Sequence, residues 1–221
     1  MSNEWVVWQL ADATFPAGGL AHSNGLEAAS KWDELNDMHR LEGFLHDQLT
    51  QTAHTLIPPM RTAWESPAQA VAMDLLCQAF ISNHVANRAS RAQGKAFLIS
   101  AQAAFGLSAC QQMRDEIHTR RMLGHFPVVF GVVAAALDID VEQSTRLFLY
   151  MVLRGTISSG IRLNIVGPLE GQALQYRLRS FIDALAARCK RFDPQSMAHT
   201  APLVELFQAS QDRLYSRLFQ S

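Results

Sequence analysis

The sequence predicts an all-α fold, and three observations support this prediction. Ala, Leu, Gln, Arg and Met, which favour helices, are abundant along the 221 residues. Alternating runs of β-branched residues, which would indicate strands, are nearly absent. Apolar residues instead recur at helical spacing between caps and prolines. We therefore expect one domain, residues 1–221, built as a helical bundle of roughly eight to ten helices.

Caps and helix breakers give the order of the elements. Pro58-Pro59 is expected to stop the third helix, and Ser66-Pro67 to restart the chain as N-cap and first helical residue. Gly124-His125-Phe126-Pro127 breaks the chain again, and Asp140 caps a long helix. The predicted helices cover residues 5–10, 18–30, 33–55, 67–81, 83–104, 108–121, 128–137, 141–163, 171–191 and 202–221.

Composition narrows the classes of function. The formal net charge is −1, so no global basic field exists to bind nucleic acid. Charged residues make up 18% of the chain, against about 25% in ordinary soluble domains. A chain with so little surface charge often covers part of its surface with another chain. We therefore expect oligomerisation or a standing protein partner.

Location is predicted from what the sequence lacks. The beginning of the chain has no basic region followed by a cleavage site, and we expect no signal peptide. The longest apolar run, Phe126 to Leu137, is too short to span a bilayer. Cys77, Cys110 and Cys189 are scattered, which is typical of a reducing compartment. The expected location is the cytoplasm, without membrane association.

Catalytic motifs are not evident. The chain has no His-Glu-x-x-His, no Gly-x-Ser-x-Gly and no phosphate-binding Gly-x-x-x-x-Gly-Lys-Ser/Thr. The three cysteines sit among apolar neighbours and are interpreted as small buried hydrophobic residues. We expect no catalytic residues and no stably bound cofactor. The competing hypothesis is a helical enzyme that holds a small molecule in its bundle core.

The segment from Leu10 to Glu27 is the most informative part of the chain. Phe15 and Pro16 favour an extended turn, and Gly18-Gly19 allows a tight bend with close backbone approach. After the bend, a group of polar and small residues is expected on the first turns of a helix. The candidate binding residues here are Phe15, Pro16, Gly18, His22, Ser23, Gly25 and Glu27, and His22 is also the weak candidate for a metal contact. The alternative is an ordinary loop that leads into a helix.

Glycines and arginines mark two internal segments. Arg88 and Arg91 lie three residues apart, on one helix face, and are candidate partner contacts. Gly94 would let another backbone come close, although an exposed helix face explains the segment equally well. Gly155 and Gly160 predict close helix contact, within the fold or across a dimer.

The end of the chain, from about residue 203, is the second strong indication of binding. Chain ends are normally frayed and polar, whereas this one is rich in aromatic and basic residues. Tyr and Arg are enriched at binding hot spots, and Arg217 could make bidentate contacts to an acidic or carbonyl group. The alternative is a helix docked on its own core. The candidate partner contacts are Arg213, Tyr215, Ser216, Arg217, Leu218 and Phe219.

Four segments resemble the UreF-type urease accessory proteins. The segment from Leu10 to Glu27 matches the N-terminal pattern of these proteins. The sequence Ser-Arg-Leu-Phe at residues 216–219 is similar to the end of their chains. Arg88-Ala89-Ser90 with Gln93-Gly94, and His125 with Pro127, Phe130 and Gly131, resemble two internal elements of the family. The matching residues of the N-terminal pattern are Leu10, Asp12, Phe15, Pro16, Gly18, His22, Ser23, Gly25, Leu26 and Glu27.

The resemblance implies a non-enzymatic, all-α maturation factor for urease. Proteins of this type form a homodimer, join a UreD/UreH-type accessory protein and recruit the UreG-type GTPase that carries nickel. The complex docks on apo-urease and delivers Ni²⁺. A role as activator of the GTPase is also open, and its arginine would be one of Arg88, Arg91, Arg120, Arg121 and Arg154.

Overall fold

A computed structural model describes residues 3–32, 34, 35 and 37–220. Within these residues the chain forms twelve α-helices and four short 3₁₀ turns, and no strand. The predicted all-α class is confirmed. The helices are α1 Glu4–Ala11, α2 Leu26–Lys31, α3 Met38–Thr55, α4 Ile57–Glu65, α5 Ala70–Phe80, α6 His84–Phe105, α7 Ser108–His118, α8 Phe126–Ala136, α9 Val141–Arg162, α10 Pro168–Arg177, α11 Arg179–Cys189 and α12 Pro202–Ser210. The 3₁₀ turns are Gly19–Ala21, Pro67–Gln69, Pro194–Ser196 and Gln211–Arg213.

Side-chain caps start three of the helices, and the cap at Asp140 was predicted from the sequence. The carboxylate of Asp140 accepts hydrogen bonds from the first turn of α9, and Asn83 does the same for α6. Asp37 caps α3 by accepting from the backbone N–H of Arg40. The predicted start of that helix at Asp33 lies outside the described residues. The predicted ends of α6, α8 and α9 agree with the structure to within a residue or two.

The predicted number of helices is too low for two reasons. Pro58 and Pro59 lie in the first turn of α4, where a missing N–H removes no helical hydrogen bond, so they begin a helix that was not predicted. The predicted helix over 171–191 is interrupted at Leu178 and forms α10 and α11. Near Ser66, the chain first makes a 3₁₀ turn, and α5 begins only at Ala70.

The predicted helix over residues 18–30 is wrong in its first half. Asn24 and Gly25 both have positive φ, at 52° and 89°, and a right-handed helix cannot pass through them. His22 and Ser23 therefore precede α2, which starts at Leu26. Only Glu27 of the candidate polar side chains lies on a first helical turn.

The predicted last helix is also wrong beyond Ser210. The chain leaves α12 there, makes a 3₁₀ turn over Gln211–Arg213 and runs on without helix to Gln220. The backbone N–H groups of Leu218, Phe219 and Gln220 bind acceptors far away in sequence instead of the preceding turn. Local periodicity carries no information about such partners. Ser221, the predicted end of the helix, lies outside the described residues.

Helix α8 lies at the centre of the core and is apolar on all sides. It packs between α4 and α6 at two glycines. A Cβ on Gly131 would lie 2.3 Å from the Met60 carbonyl oxygen of α4. A Cβ on Gly94 of α6 would lie 2.1 Å from the carbonyl oxygen of Gly124, just before α8. The prediction that Gly94 admits another backbone is confirmed.

Gly155 and Gly160 of α9 differ from each other. Gly160 packs closely, because a Cβ there would lie 3.3 Å from the Leu41 side chain. Nothing lies within 4 Å of a Cβ on Gly155, so the predicted close contact within the fold is wrong at that position.

Buried apolar side chains form a cluster that includes residues from Leu10 to Val204. Phe97, Phe126, Phe130 and Phe148 pack ring against ring at its centre, with centroids 5.2–5.8 Å apart. No helix in the described part of the chain is both long enough and apolar enough to cross a bilayer. The single-domain organisation stays a prediction.

Candidate partner-binding site

The segment from Leu10 to Glu27, which we call the N-terminal signature, forms a folded segment that connects several helices. Asp12 accepts hydrogen bonds from the backbone N–H and hydroxyl of Thr14, closing a local turn. The Phe15 ring packs 5.7 Å from that of Phe97 in the aromatic core. Ser100 of α6 donates to the carbonyl oxygen of Pro16 at 2.8 Å. The signature is thereby attached to the core.

Gly18 and Gly25 are required by backbone geometry. Both have positive φ, at 74° and 89°, which side chains disfavour. A Cβ on Gly25 would also lie 2.9 Å from the backbone N of Gln208 and 3.1 Å from the carbonyl oxygen of Val204. The signature therefore packs directly against α12, the helix that leads into the C-terminal tail.

Glu27 joins the signature to the tail, which we define as residues 211–220. Glu27 is buried, with 1% of the residue exposed. It accepts hydrogen bonds from the backbone N–H groups of Leu218 at 2.6 Å and Phe219 at 3.1 Å. It also accepts one from the Gln211 side-chain amide at 2.6 Å. One buried carboxylate thus contacts both ends of the tail.

Asp212 forms a second attachment of the tail, at the surface. Arg88 of α6 donates to both carboxylate oxygens of Asp212, at 2.9 and 3.1 Å, and Arg217 of the tail donates at 2.9 Å. His84 lies 3.4 Å from the same carboxylate. The hydrogen bonds and charge of Arg88, with the charges of Arg217 and His84, hold the pKa of Asp212 below its usual value.

Between these attachments the tail is exposed. The side chain of Tyr215 is fully exposed, and those of Arg213, Ser216, Arg217 and Leu218 also face solvent. Phe219 is the exception at 4% exposure, and the guanidinium of Arg162 lies 4.3 Å from its ring centroid. In this conformation Phe219 is an intrachain anchor, and the predicted partner contact through it would need the tail to move.

His22 and Ser23 are buried between the two motifs. Burial, and secondly the charge of Arg88, lowers the pKa of His22, so the neutral imidazole is favoured. The backbone N–H of Gln220 donates to the carbonyl oxygen of Ala21 at 2.9 Å, beside His22. Among the described residues, no group of three or more His, Cys, Asp and Glu side chains could hold a metal ion.

The internal His-Phe-Pro segment is held by a buried carboxylate that sequence reasoning did not identify. Asp74 of α5 accepts from the backbone N–H groups of Leu123, Gly124 and His125 at 2.5, 3.1 and 2.7 Å. The imidazole of His125 lies 3.1 Å from both the Ser90 hydroxyl and the Gln78 side-chain oxygen. Burial lowers the pKa of His125 to about 4. Asp74 and His125 therefore position α8 from inside.

The remaining arginine candidates have separate environments. Arg154 donates to the carbonyl oxygen of Ala11, and Arg121 donates to Glu116 at 2.8 Å. Arg91 is half-buried, and Arg120 is exposed at a positive φ of 60°. Arg88 is half-exposed but engaged with Asp212. None of these contacts selects an arginine for GTPase activation.

A cavity of about 800 Å³ lies beside the signature. Its walls come from the signature and from α3, α6, α9 and α12, and Gly155 faces it. Most of the lining is apolar, and the polar groups include Gln93 and the hydrogen-bonded pair His199 and Glu205.

The three cysteines are buried elsewhere as free thiols, and burial raises the pKa of Cys110 to about 11 and that of Cys189 to about 12.

The structure thus brings the two most informative motifs of the sequence together. Candidates from the signature, the tail and the Arg88 segment meet at one place, through Glu27, Asp212 and the backbone of Gly25. Sequence reasoning missed Gln211, Asp212 and Arg162 as tail anchors. Only Asp212 carried a signal, as an acidic residue among basic and aromatic neighbours at the chain end.

Comparison with known proteins identifies the family. The UreF family model matches residues 35–179. Urease accessory protein F of Arabidopsis thaliana is 32% identical over 222 residues, which cover 99% of this chain and 92% of the relative. Urease accessory protein F of Oryza sativa subsp. indica is 32% identical over 219 residues, covering 97% and 84%. UreF of Actinobacillus pleuropneumoniae is 22% identical over 229 residues, covering 96% of each. The chain belongs to the UreF family of urease accessory proteins.

Proposed function

We propose that this chain is a non-enzymatic adaptor in urease maturation. It joins a UreD/UreH-type accessory protein, recruits the UreG-type GTPase and takes part in delivering Ni²⁺, the cargo, to apo-urease. Its site of action is the cytoplasm. The observation that carries the proposal is the tail, because its two ends are anchored while Tyr215 and Leu218 between them face solvent. Ordered, exposed aromatic and arginine side chains are the ingredients of a binding hot spot.

Nickel content of urease tests the maturation role. The chain would be co-expressed with a urease operon that lacks its own adaptor, and nickel would be measured in the purified enzyme. We expect nickel to be restored by the complete chain. Full nickel content without the chain, at ordinary cellular nickel, would contradict the proposal.

The tail can be tested directly for partner contact. We expect Tyr215→Ala to weaken binding of the UreD/UreH-type protein by about tenfold to a hundredfold, the range of an interface hot spot. Because the ring makes no buried contact, the variant should fold as the wild type does. Deletion of residues 211–221 should abolish co-purification, and its persistence would exclude the tail as the contact.

A homodimer is part of the proposal, and α1 supports it. Trp5 is 73% exposed and Trp8 63%, and their rings lie 6.2 Å apart on the same helix. Two neighbouring exposed tryptophans form an apolar patch of the kind that protein interfaces cover. We expect Trp5→Arg to shift the chain from dimer to monomer in analytical ultracentrifugation.

The second candidate function, an enzyme that holds a small molecule, has one observation in its favour, the cavity of about 800 Å³. Such a volume is typical of small-molecule sites. Turnover of a small molecule by the purified chain would favour this candidate over the adaptor.

A further inference from the structure

One buried carboxylate contacts both ends of the tail. Glu27 accepts from Gln211 at the start of the tail and from Leu218 and Phe219 near its end. The six residues from 212 to 217 therefore lie between two points that Glu27 holds, and five of them are exposed. Two contacts within the tail also join its ends: the Gln211 side-chain amide donates to the Phe219 carbonyl oxygen at 3.4 Å, and Arg217 donates to Asp212 at 2.9 Å.

The other contacts need the same folded-back conformation of the tail. Arg217 can reach Asp212 only when the end of the tail folds back beside its start, and the same is true of Gln220 at the Ala21 carbonyl. Glu27 binds the backbone N–H of Phe219 itself, and the ring of the same residue is buried beside the Arg162 guanidinium. The surface ion pairs lie in water, where such pairs contribute little. Glu27 is buried and bound by three donors, so its hydrogen bonds are the stronger ones.

We propose that Glu27 is the positioning residue of the tail: its carboxylate closes residues 211–220 into an arch that presents Tyr215 and Leu218 to a partner. This rests on the proposed function of the tail as a partner contact. Arg213 also faces solvent beside Tyr215, so the fitting partner surface is an apolar pocket with acidic groups at its edge. Because the arch is already closed before binding, the tail loses less conformational entropy when the partner binds.

Glu27→Gln tests the positioning role while keeping the size of the side chain. Its new amide would direct N–H groups toward N–H groups of the tail, so at least one contact is lost. We expect trypsin to release the end of the chain, after Arg213 or Arg217, roughly tenfold faster than in the wild type, because local opening exposes those bonds. The shortened product would be measured by intact mass. Glu34→Gln, an exposed change nearby, is the matched control and should behave as the wild type.

Partner binding separates positioning from simple stabilisation. We expect Glu27→Gln to bind the UreD/UreH-type protein about tenfold to a hundredfold more weakly, with an unchanged helical circular dichroism spectrum. Wild-type cleavage, or faster cleavage with wild-type affinity, would overturn the positioning role. If Tyr215→Ala weakens binding and Glu27→Gln does not, the positioning role is wrong and the tail surface stands. If Tyr215→Ala has no effect on affinity, the proposed tail surface itself is wrong.

Should Glu27→Gln fail to fold, Gln211→Ala carries the test. It removes the contact of Gln211 to Glu27 and the longer one to the Phe219 carbonyl oxygen, and it leaves the carboxylate in place. Faster release of the chain end and weaker partner binding are again expected, and wild-type values for both would overturn the proposal.

Discussion

Asp74 and Glu27 do the same chemistry in two different regions. Each is a buried carboxylate that binds consecutive backbone N–H groups of a distant segment. Asp74 holds residues 123–125, which continue into α8 in the centre of the core. Glu27 holds residues 218 and 219, which lie at the end of the chain.

The difference lies in what covers the bound segment. Residues 124 and 125 are buried, and Gly94 packs directly against the Gly124 carbonyl, so this loop has no room to move. Residues 212, 213 and 215–218 are exposed, and Asp212 and Leu218 among them are held to the rest of the chain by hydrogen bonds to Arg88 and Glu27. The same kind of contact therefore fixes the fold in one region and positions a binding segment in the other.

The largest expected effect is that of Asp74→Ala. It would leave three backbone N–H groups without their acceptor, two of them at buried residues, and lower the free energy of unfolding by about 3–5 kcal/mol. Urea denaturation would measure the loss. Asp115→Ala is the matched control, because Asp115 is exposed on α7, and it should stay within ~0.5 kcal/mol of the wild type. Equal effects of the two changes would remove the structural role of Asp74.

The next largest expected loss of stability is that of Gly94→Ala. A Cβ there would lie 2.1 Å from a backbone oxygen, so α6 and the loop must separate, at a cost of about 3 kcal/mol. Gly155→Ala is the control in another helix interior, and with nothing within 4 Å it should stabilise by up to ~1 kcal/mol. Thermal unfolding of both variants would show opposite shifts, and shifts of the same sign would contradict the packing at Gly94.

Acid should separate the two regions. The pKa of His125 is about 4 in the folded chain and about 6.5 when unfolded, so below pH 6.5 the unfolded chain binds a proton that the folded chain does not. The free energy of unfolding therefore falls as the pH is lowered from 6.5 toward 4, by on the order of 2 kcal/mol at pH 5. The lowered pKa of His22 acts in the same direction.

The Asp212 attachment of the tail should resist the same acid. The pKa of Asp212 is lowered, so its stabilising contribution is present above pH 3.8 and is lost only as the pH falls further. Denaturation at pH 7.5 and pH 5, with an NMR titration of the histidines, checks the expectation for His125, and an NMR titration of the Asp212 carboxyl checks that for the tail. A His125 imidazole that titrates near pH 6.5 in the folded protein would contradict the first, and an Asp212 carboxyl that titrates at or above pH 3.8 would contradict the second.

Of the four effects on the free energy of unfolding, that of Glu27→Ala should be the smallest. The N–H groups of Leu218 and Phe219 are near the chain end and can reach water once the tail opens. We expect a loss of about 1–2 kcal/mol, well below that of Asp74→Ala. Denaturation under the same conditions would measure it. A loss as large as that of Asp74→Ala would mean that the tail is part of the cooperative core.

Local patterns predicted the fold class and several helix boundaries, including the cap at Asp140 and the start of α6 to within a residue. These patterns failed where contacts between residues far apart in sequence determine the backbone conformation. Periodicity continued the last helix through Leu214 and Leu218, but Glu27 and the Ala21 carbonyl bind the tail in another conformation. The predicted end of the third helix at Thr55 is correct, but the helix that begins with Pro58 and Pro59 in its first turn was not predicted, because the proline pair was interpreted only as a stop.

The candidate site was predictable as residues and not as an arrangement. Glu27, Arg88 and Arg217 were all identified, each for a separate reason. That they converge on one tail follows from tertiary packing, which sequence spacing does not contain. Asp74 was missed because a single acidic residue on an apolar helix has no local signature.

Amide hydrogen exchange of the free chain tests the account most directly. Residues 215–219 would be compared by NMR at neutral pH, with no partner present. If Glu27 closes the arch, the N–H groups of Leu218 and Phe219 exchange at least ~100-fold more slowly than those of Tyr215 and Ser216. If all of these amides exchange equally fast, the tail is not held and the account is wrong.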